Sequence, residues 1–176
     1  MNPTLWVGTI PSPLGEVGFA LADDAVLWLG FEFPEEELIQ LVRKRFGNLP
    51  ITDFGKLVDK LKRALGRYFD GEVEAIDNIK VDGAGTGFQR AVWAALREIP
   101  CGETRSYSQI AERIGKPKAV RAVGAANGRN PIWLVVPCHR VIGADGSLTG
   151  YAGGIDRKRW LLTHERRGGP ALLPVR

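Results

Sequence analysis

The chain is short of the two side chains that most often carry nucleophilic and acid–base chemistry. It has two cysteines, Cys101 and Cys138, and two histidines, His139 and His164, in 176 residues. Two cysteines exclude a disulfide framework. A free thiol suits a reducing compartment, so a cytoplasmic location is expected. No apolar run is long enough to span a bilayer. Met1 to Ile10 lacks a basic stretch followed by an apolar core, so neither a signal peptide nor a membrane partner is expected. Internal repeats, low-complexity tracts and metal-ligand clusters are also missing. The Gly-rich stretch from Gly143 to Gly154 lacks the Lys-Ser/Thr ending of a P-loop, which excludes that mode of phosphate binding. The last absence is one of charge. No Asp or Glu lies between Glu112 and Asp145, while Arg113, Lys116, Lys118, Arg121, Arg129 and Arg140 all do.

That gap belongs to a wider asymmetry. The net charge is +4 with a pI near 9.3. Residues 1–84 carry 9 Lys and Arg against 14 Asp and Glu, a net of −5, and residues 85–176 carry 15 against 6, a net of +9. A one-sided basic half suits either a solvated face or a polyanionic partner. The length allows one domain or two small ones. Asp82-Gly83-Ala84-Gly85 is the expected linker, dividing the chain into residues 1–84, residues 85–167 and a loose tail, 168–176.

In the first part, Leu5 to Ile10, Gly15 to Leu21 and Val26 to Phe31 read as strands, with turns at Pro11-Ser12-Pro13 and Ala22-Asp23-Asp24. Glu35 to Phe46 has apolar residues at helical spacing (Leu38, Leu41, Val42, Phe46), with acids first and bases last, as the helix dipole prefers. Asp53 is placed to cap a second helix with Leu57, Leu61, Leu65, Tyr68 and Phe69 inward. A short strand is expected near Ala75 to Val81. With no His and no Cys, these residues read as scaffold.

The second part is denser in signals. Thr86 to Gln89 and Ser106 to Gln109 are capping boxes that open helices to about Ile99 and Ile114. Gly115 caps the second of these. Pro117 can occupy the first turn of a further helix to about Asn127. Two short helices across a Gly-Lys-Pro turn make a helix-turn-helix pattern. The second presents a face of small residues (Ala119, Ala122, Val123, Gly124, Ala125, Ala126) with only Lys118 and Arg121 long. A helix with side chains is ~10–12 Å across, against a minor groove ~6 Å wide. Stripping the bulk lets such a helix press into that groove; tight helix–helix packing is the alternative use of small residues. Asp156 is placed to cap a last helix to about Arg166.

The stretch Asn130 to Val141 organises the rest. Ile132 to Val136 is a β-branched run between prolines and reads as a buried extended segment delivering Cys138, His139 and Arg140. Nearby cations favour a thiolate. A free thiol, with a pKa near ~8.5, still needs a base at neutral pH. Neighbours on an extended strand face opposite ways, so a bridging water between Cys138 and His139 is the simpler geometry. A base is held in one tautomer by a carboxylate; of Asp145, Asp156 and Glu165, only Glu165 sits among apolar helix neighbours. Cys101, with no His or Arg adjoining it in sequence, reads as structural.

Pro137-Cys138-His139-Arg140-Val141 resembles the active-site signature of the O6-alkylguanine-DNA alkyltransferases, the methylated-DNA–protein-cysteine methyltransferases. The similarity runs through Ser106-Tyr107, Lys118 to Gly124, Asn130-Pro131, Gly150 to Gly154, Lys158 and Trp160 to Glu165, about half the chain. It implies a ribonuclease-H-like α/β N-terminal domain and a winged-helix-like C-terminal domain. It also implies double-stranded DNA containing alkylated guanine as partner, minor-groove entry by the second helix, base flipping, and one irreversible transfer per protein, from O6-alkylguanine or O4-alkylthymine. By the same resemblance, Cys138 attacks the alkyl carbon. His139 takes the thiol proton through water, Glu165 orients His139, and Asn130 braces the turn. Arg121 fills the gap in the base stack, and Tyr107 crowds the 3′ phosphate and protonates the base. Tyr151 and Lys158 line the pocket, with Gly150 and Ala152 leaving room. Lys118, Ala119, Ala122 and Gly124 join Arg121 on the DNA. Some members hold a structural zinc in the first domain through Cys and His; this chain has neither there, so no metal and no cofactor is expected. A monomer is expected. Trp133 stands where the family has a small residue or proline.

Three other classes fit parts of the pattern. An alkyltransferase-like lesion binder replaces the Cys, which Cys138 opposes. A cysteine hydrolase would turn over repeatedly. A transcription factor has no use for a base beside a thiol.

Overall fold

Strand-forming, β-branched residues fill the start of the chain and capping boxes punctuate its second half, and the architecture follows that division. The computed structural model describes residues 5–22, 24–31, 35–48, 50–52 and 55–166. It separates into two compact units, residues 1–84 with 131–133, and residues 85–130 with 134–176.

The first unit is a four-stranded sheet with two helices. Its elements are β1 (Leu5–Ile10), β2 (Val17–Ala22), β3 (Ala25–Phe31), α1 (Glu35–Phe46), β4 (Ile51–Thr52) and α2 (Lys56–Phe69). The strand order is β3-β2-β1-β4, with β1–β2 and β2–β3 antiparallel and β4 parallel to β1. Leu5, Val7, Ala20, Ala22 and Leu27 of the sheet pack with Leu38 and Val42 of α1. Each fully buried Leu or Val side chain contributes about 1.5–3 kcal/mol. Gly47, at φ +79°, closes α1 by donating its N–H to Arg43 O. Leu41, on the same helical stripe, is 47% exposed instead of buried.

Three expectations for this unit need correction. The buried stripe of α2 is Val58, Leu61, Leu65 and Tyr68, while Leu57 and Phe69 are only half-buried. Gly55 occupies the cap position of α2, and Asp53 lies outside the described residues. The strand near Ala75 to Val81 is instead a run of turns, with Ala75 N–H on Glu72 O and Asp77 N–H on Glu74 O, and only Val81 bridges to Val26. Asp77 and Asn78, both turn formers, interrupt the apolar alternation there.

The second unit contains α3 (Gly87–Arg97), β5 (Arg105–Ser106), α4 (Tyr107–Arg113), α5 (Val120–Gly128), a single 3-10 turn at Cys138–Arg140, β6 (Val141–Ile142) and α6 (Ile155–Glu165). Both capping boxes form: the Thr86 and Ser106 hydroxyls accept from the N–H of Gln89 and Gln109, whose side chains accept in return from the cap N–H groups. Replacing either cap by Ala costs about 0.5–2 kcal/mol. Gly115, at φ +70°, ends α4. The next helix begins later than expected, because Ala119 N–H returns to Lys116 O. Pro117 thus occupies the second position of a β-turn, which its fixed φ favours. Gly154, at φ +90°, stands at the α6 cap, so Asp156 falls in the first turn and pairs with exposed Arg159 at 2.9 Å. The short strands β5 and β6 pair in parallel. No helix among the described residues is long and apolar enough to cross a membrane. The tail, 168–176, lies outside the described residues.

The extended segment expected from Ile132 to Val136 is buried but is not a strand. Residues 131–133 belong to the first unit, where Leu29 N–H donates to Pro131 O and Trp133 N–H to Leu29 O. Trp133 there packs obliquely on Phe31, ring centroids 5.9 Å apart, which explains a large side chain at that position. Leu134 then takes φ +68°, the only positive value at a non-glycine among the described residues. Left-handed backbone costs an L-residue ~1–2 kcal/mol. The reversal is compensated by burial of Leu134, Val135 and Val136.

Candidate active site

The site lies within the second unit and is built around the turn after Val136. Pro137 has φ −81° and ψ 65°, the centre of an inverse γ-turn in which Cys138 N–H donates to Val136 O at 2.8 Å. The same carbonyl accepts from Asn130 Nδ2 at 2.7 Å. Asn130 is buried, and this bond ties the two ends of the 131–135 excursion together. Asn130 also hydrogen-bonds the Cys138 side chain. Its Nδ2 bond thus ties the start of the turn to the residue before Pro131.

Cys138 and His139 sit on a 3-10 turn, not on the extended strand that the sequence suggests, so the opposite-faces argument does not hold. Glu165 is the carboxylate that meets His139. His139 Nε2 and Glu165 Oε1 are 2.8 Å apart with both side chains fully buried. The other ring nitrogen, His139 Nδ1, is buried with no hydrogen-bond partner among the described residues. Burial would raise the Glu165 carboxyl, but its electrostatic and hydrogen-bonding interactions with His139 and Arg140 overcome it and hold the group well below the usual carboxylate range.

Arg140 is the residue that sequence reasoning placed wrongly. Its charge does not serve as a thiolate neighbour. Nε donates to Glu165 Oε2 at 2.8 Å, Nη2 to Glu165 Oε1 at 3.0 Å, and Nη1 to Ile99 O at 2.6 Å. Nη2 also reaches Cys101 Sγ at 2.8 Å. Cys101 therefore does have an Arg beside it, brought from 39 residues away. The only signal in the sequence was the adjacency of Arg140 to His139.

Lys158 also differs from expectation. It is completely buried, and Nζ donates to Val141 O at 2.5 Å and Thr149 O at 2.9 Å. It spans the ends of the Gly-rich loop rather than standing free in a pocket. Burial lowers its ammonium to about 8, partly opposed by Cys138. The Tyr107 hydroxyl donates to the same Thr149 carbonyl at 3.3 Å. Burial raises Tyr107, and that bond partly offsets the rise. Tyr151 is buried edge-on to His139, ring centroids 6.5 Å apart, and burial pushes its hydroxyl well above the ordinary tyrosine value. Gly150 and Ala152, on either side of it, are exposed. A Cβ on Gly150 would stand 3.4 Å from the Tyr107 hydroxyl.

Burial pushes the Cys138 thiol up to about 11, against the Asn130 hydrogen bond and the Lys158 charge. At neutral pH it is therefore a thiol, only 3% exposed. The exposed residues of the helix-turn-helix form a separate strip: Lys118, Arg121, Ala122, Ala125 and Arg129, recurring at three- and four-residue steps. Ala119 is half-buried. Gly124 is also partly covered, within 3.8 Å of the Tyr107 ring for an added Cβ, so it serves packing of α4 on α5. No group of three or more His, Cys, Asp or Glu among the described residues is placed to hold a metal ion.

A helix-turn-helix with a basic, bulk-free strip, joined to a buried thiol with its own imidazole–carboxylate relay, defines a nucleic-acid-directed protein that uses a cysteine as reactant. Residues 87–167 match the family model described as 6-O-methylguanine DNA methyltransferase, DNA binding domain. A methylated-DNA–protein-cysteine methyltransferase of Shigella flexneri is 46% identical over 163 residues, covering 89% of this chain and 92% of that protein. One from Mycolicibacterium paratuberculosis is 64% identical over 111 residues, 63% of this chain and 67% of that protein. The crystal structure of Mycobacterium tuberculosis OGT in complex with DNA matches with a TM-score of 0.77 and 41% identity, covering 96% of each chain. The chain belongs to the methylated-DNA–protein-cysteine methyltransferase family.

Proposed function

We propose that Cys138 is the residue alkylated when this protein repairs O6-alkylguanine, or O4-alkylthymine, in double-stranded DNA. The observation that carries the assignment is the buried His139–Glu165 pair at 2.8 Å on the turn that holds Cys138, with His139 Nδ1 left available. The first unit, residues 1–84, reads as a ribonuclease-H-like scaffold, and residues 85–167 as a winged-helix-like domain that binds DNA and reacts. It works as a monomer in the cytoplasm.

The chemistry follows from the pKa pattern. The thiol is protonated at rest, so it does not react with solvent electrophiles and must be deprotonated at the moment of attack. His139 Nδ1 accepts the proton through one water, with Glu165 holding the ring. The sulfur attacks the alkyl carbon in line. The S–C bond forms as the C–O6 bond breaks, and the electron pair leaves on guanine, which takes a proton from the Tyr107 hydroxyl. A thioether is not released by water, so each molecule acts once. The target base must leave the stack to reach a thiol 3% exposed. The strip from Lys118 to Arg129 enters the minor groove, and Arg121 fills the space the base leaves. Lys158 holds the loop that carries Gly150, Tyr151 and Ala152 around the base. Incubation with an O6-methylguanine duplex is expected to add one methyl to the Cys138 peptide by mass spectrometry. Methyl on another residue, or none, overturns the assignment.

Arg121→Ala is expected to slow repair of duplex DNA while leaving attack on free O6-benzylguanine unchanged. Unstacking a base costs a few kcal/mol, and only the duplex substrate requires it. Equal losses on both substrates would remove Arg121 from the extrusion step.

The alkylated protein is expected to be less stable than the free protein, increasingly so from methyl to benzyl. Cys138, like Val135 and Val136 just before it, is buried, and added carbon in a filled site costs ~1–3 kcal/mol. Asn130, bonded to both Val136 O and the Cys138 side chain, is the first group displaced. Thermal unfolding of the three forms checks this; equal midpoints, or a rise with alkyl size, refute it.

A further inference from the structure

We propose that Arg140 is a positioning residue for the transfer reaction, whose charge neutralises Glu165 and so leaves His139 uncharged and able to accept the thiol proton. This rests on the reading of Cys138 as the alkyl acceptor given above.

The geometry sets the problem that Arg140 solves. A base must be neutral before it acts. An imidazole bonded at 2.8 Å to a fully buried carboxylate would ordinarily be driven to the imidazolium, because an isolated buried anion demands a counter-charge. Arg140 provides it on the same carboxylate, through Nε on Oε2 and Nη2 on Oε1, the oxygen that His139 also meets. With the guanidinium in place the pair Glu165–Arg140 is already balanced. His139 can then donate Nε2–H to Glu165 and keep the Nδ1 lone pair for the thiol side. When His139 takes the proton, the same carboxylate stabilises the imidazolium that forms.

Glu165 and Lys158 are the ionisable side chains that α6 buries near the turn besides His164, and the Lys158 ammonium is engaged with Val141 O and Thr149 O. His164 stacks on Trp160, ring centroids 4.7 Å apart. The buried face of α3, which packs on the turn, is Val92, Trp93, Ala95 and Leu96, none of which titrates. Tyr151 and Cys138 also face this cluster, both neutral at rest, and Arg157 acts electrostatically on Tyr151. The remaining Arg140 donors are anchored by Ile99 O and Cys101 Sγ, so the fork cannot swing away from the carboxylate. Arginine suits this duty better than lysine, since one planar group meets both carboxylate oxygens and two further acceptors.

The test is the pH dependence of the single-turnover transfer rate on an O6-methylguanine duplex for wild type, Arg140→Met and Arg140→Lys. Arg140→Met is expected to lose on the order of 10²-fold at neutral pH, the scale of a lost general base. Its rate-limiting acid limb is expected to move up by about one pH unit or more, with recovery in alkali. Arg140→Lys keeps the charge and loses the fork, so its limb stays at the wild-type pH with a lower plateau. A merely structural role lowers the rate equally at every pH in both variants, and that result overturns the proposal. Nitrogen NMR of His139 in the wild-type protein supplies a readout independent of whether Arg140→Met folds. A neutral ring protonated on Nε2 at pH 7 supports the proposal, and an imidazolium overturns it. Failure of the wild-type protein to alkylate Cys138 at all would instead sink the reading on which the proposal rests.

Discussion

Cys138→Ser is expected to abolish alkyl transfer completely while leaving affinity for duplex DNA unchanged. The two activities reside on different surfaces. On the proposed reading, affinity comes from the exposed strip Lys118, Arg121, Ala122, Ala125 and Arg129, whose cations would release counterions from the phosphates. The proposed reacting atom, the Cys138 sulfur, is buried on a turn that contributes nothing to that strip. A serine hydroxyl is nearly isosteric, so the inverse γ-turn at Pro137 and the Asn130 brace persist. It is, however, a far weaker nucleophile without a strong base, and His139 is matched to a thiol. The check is a gel-shift titration beside a transfer assay. A folded Cys138→Ser protein that no longer binds would show that the thiol region also carries affinity.

Glu165→Gln is expected to reduce both rate and stability. Its carboxylate meets both His139 and Arg140. Gln presents an amide N–H where a donor already points, leaving a buried guanidinium unpaired. Breaking a buried pair by removing one partner costs about 3–5 kcal/mol. With His139 no longer held in one tautomer, the neutral-pH rate is expected to fall ~10²–10⁴-fold, with partial recovery in alkali as hydroxide generates thiolate directly.

The stability loss has a pH signature. The folded carboxyl titrates well below its ordinary value of 4.5, so the native state binds fewer protons than the unfolded state in the acid range. Its stabilising contribution is therefore full above about 4.5 and is lost as pH falls through the folded value. The gap between wild type and Glu165→Gln should narrow on acidification. Urea unfolding of both proteins at neutral pH and at successively lower pH tests this. A gap that stays constant, or an unchanged pH–rate profile, would remove Glu165 from the relay.

The sequence by itself determined what depends on neighbours within a few residues. Thr86 to Gln89 and Ser106 to Gln109 each close a hydrogen-bonded ring across three residues, so both helix starts were legible. The alternation of Leu5 to Ile10 and the leucine spacing of α2 reported strand and helix for the same reason. The resemblance put Asn130, Cys138, His139 and Glu165 forward as a set because their order matches a family signature. His139–Glu165 was also reachable by elimination, since few acids lie near an apolar helix face.

Tertiary structure alone decided the rest. Whether Ile132 to Val136 is a strand or a reversal depends on Leu29, which supplies backbone partners for Pro131 and Trp133; an apolar run reports burial, not direction. Lys158 reads as a pocket lysine until the backbone carbonyls of Val141 and Thr149, 17 and 9 residues away, converge on it. Arg140 stands beside Cys138 in the chain. A 3-10 turn then sends its side chain to Glu165, Ile99 and Cys101, 25, 41 and 39 residues distant. The physical reason is the same in each case. A buried charge goes to whatever partners the packing of the core brings within hydrogen-bond reach, because leaving it unpaired costs more than any local preference can offset.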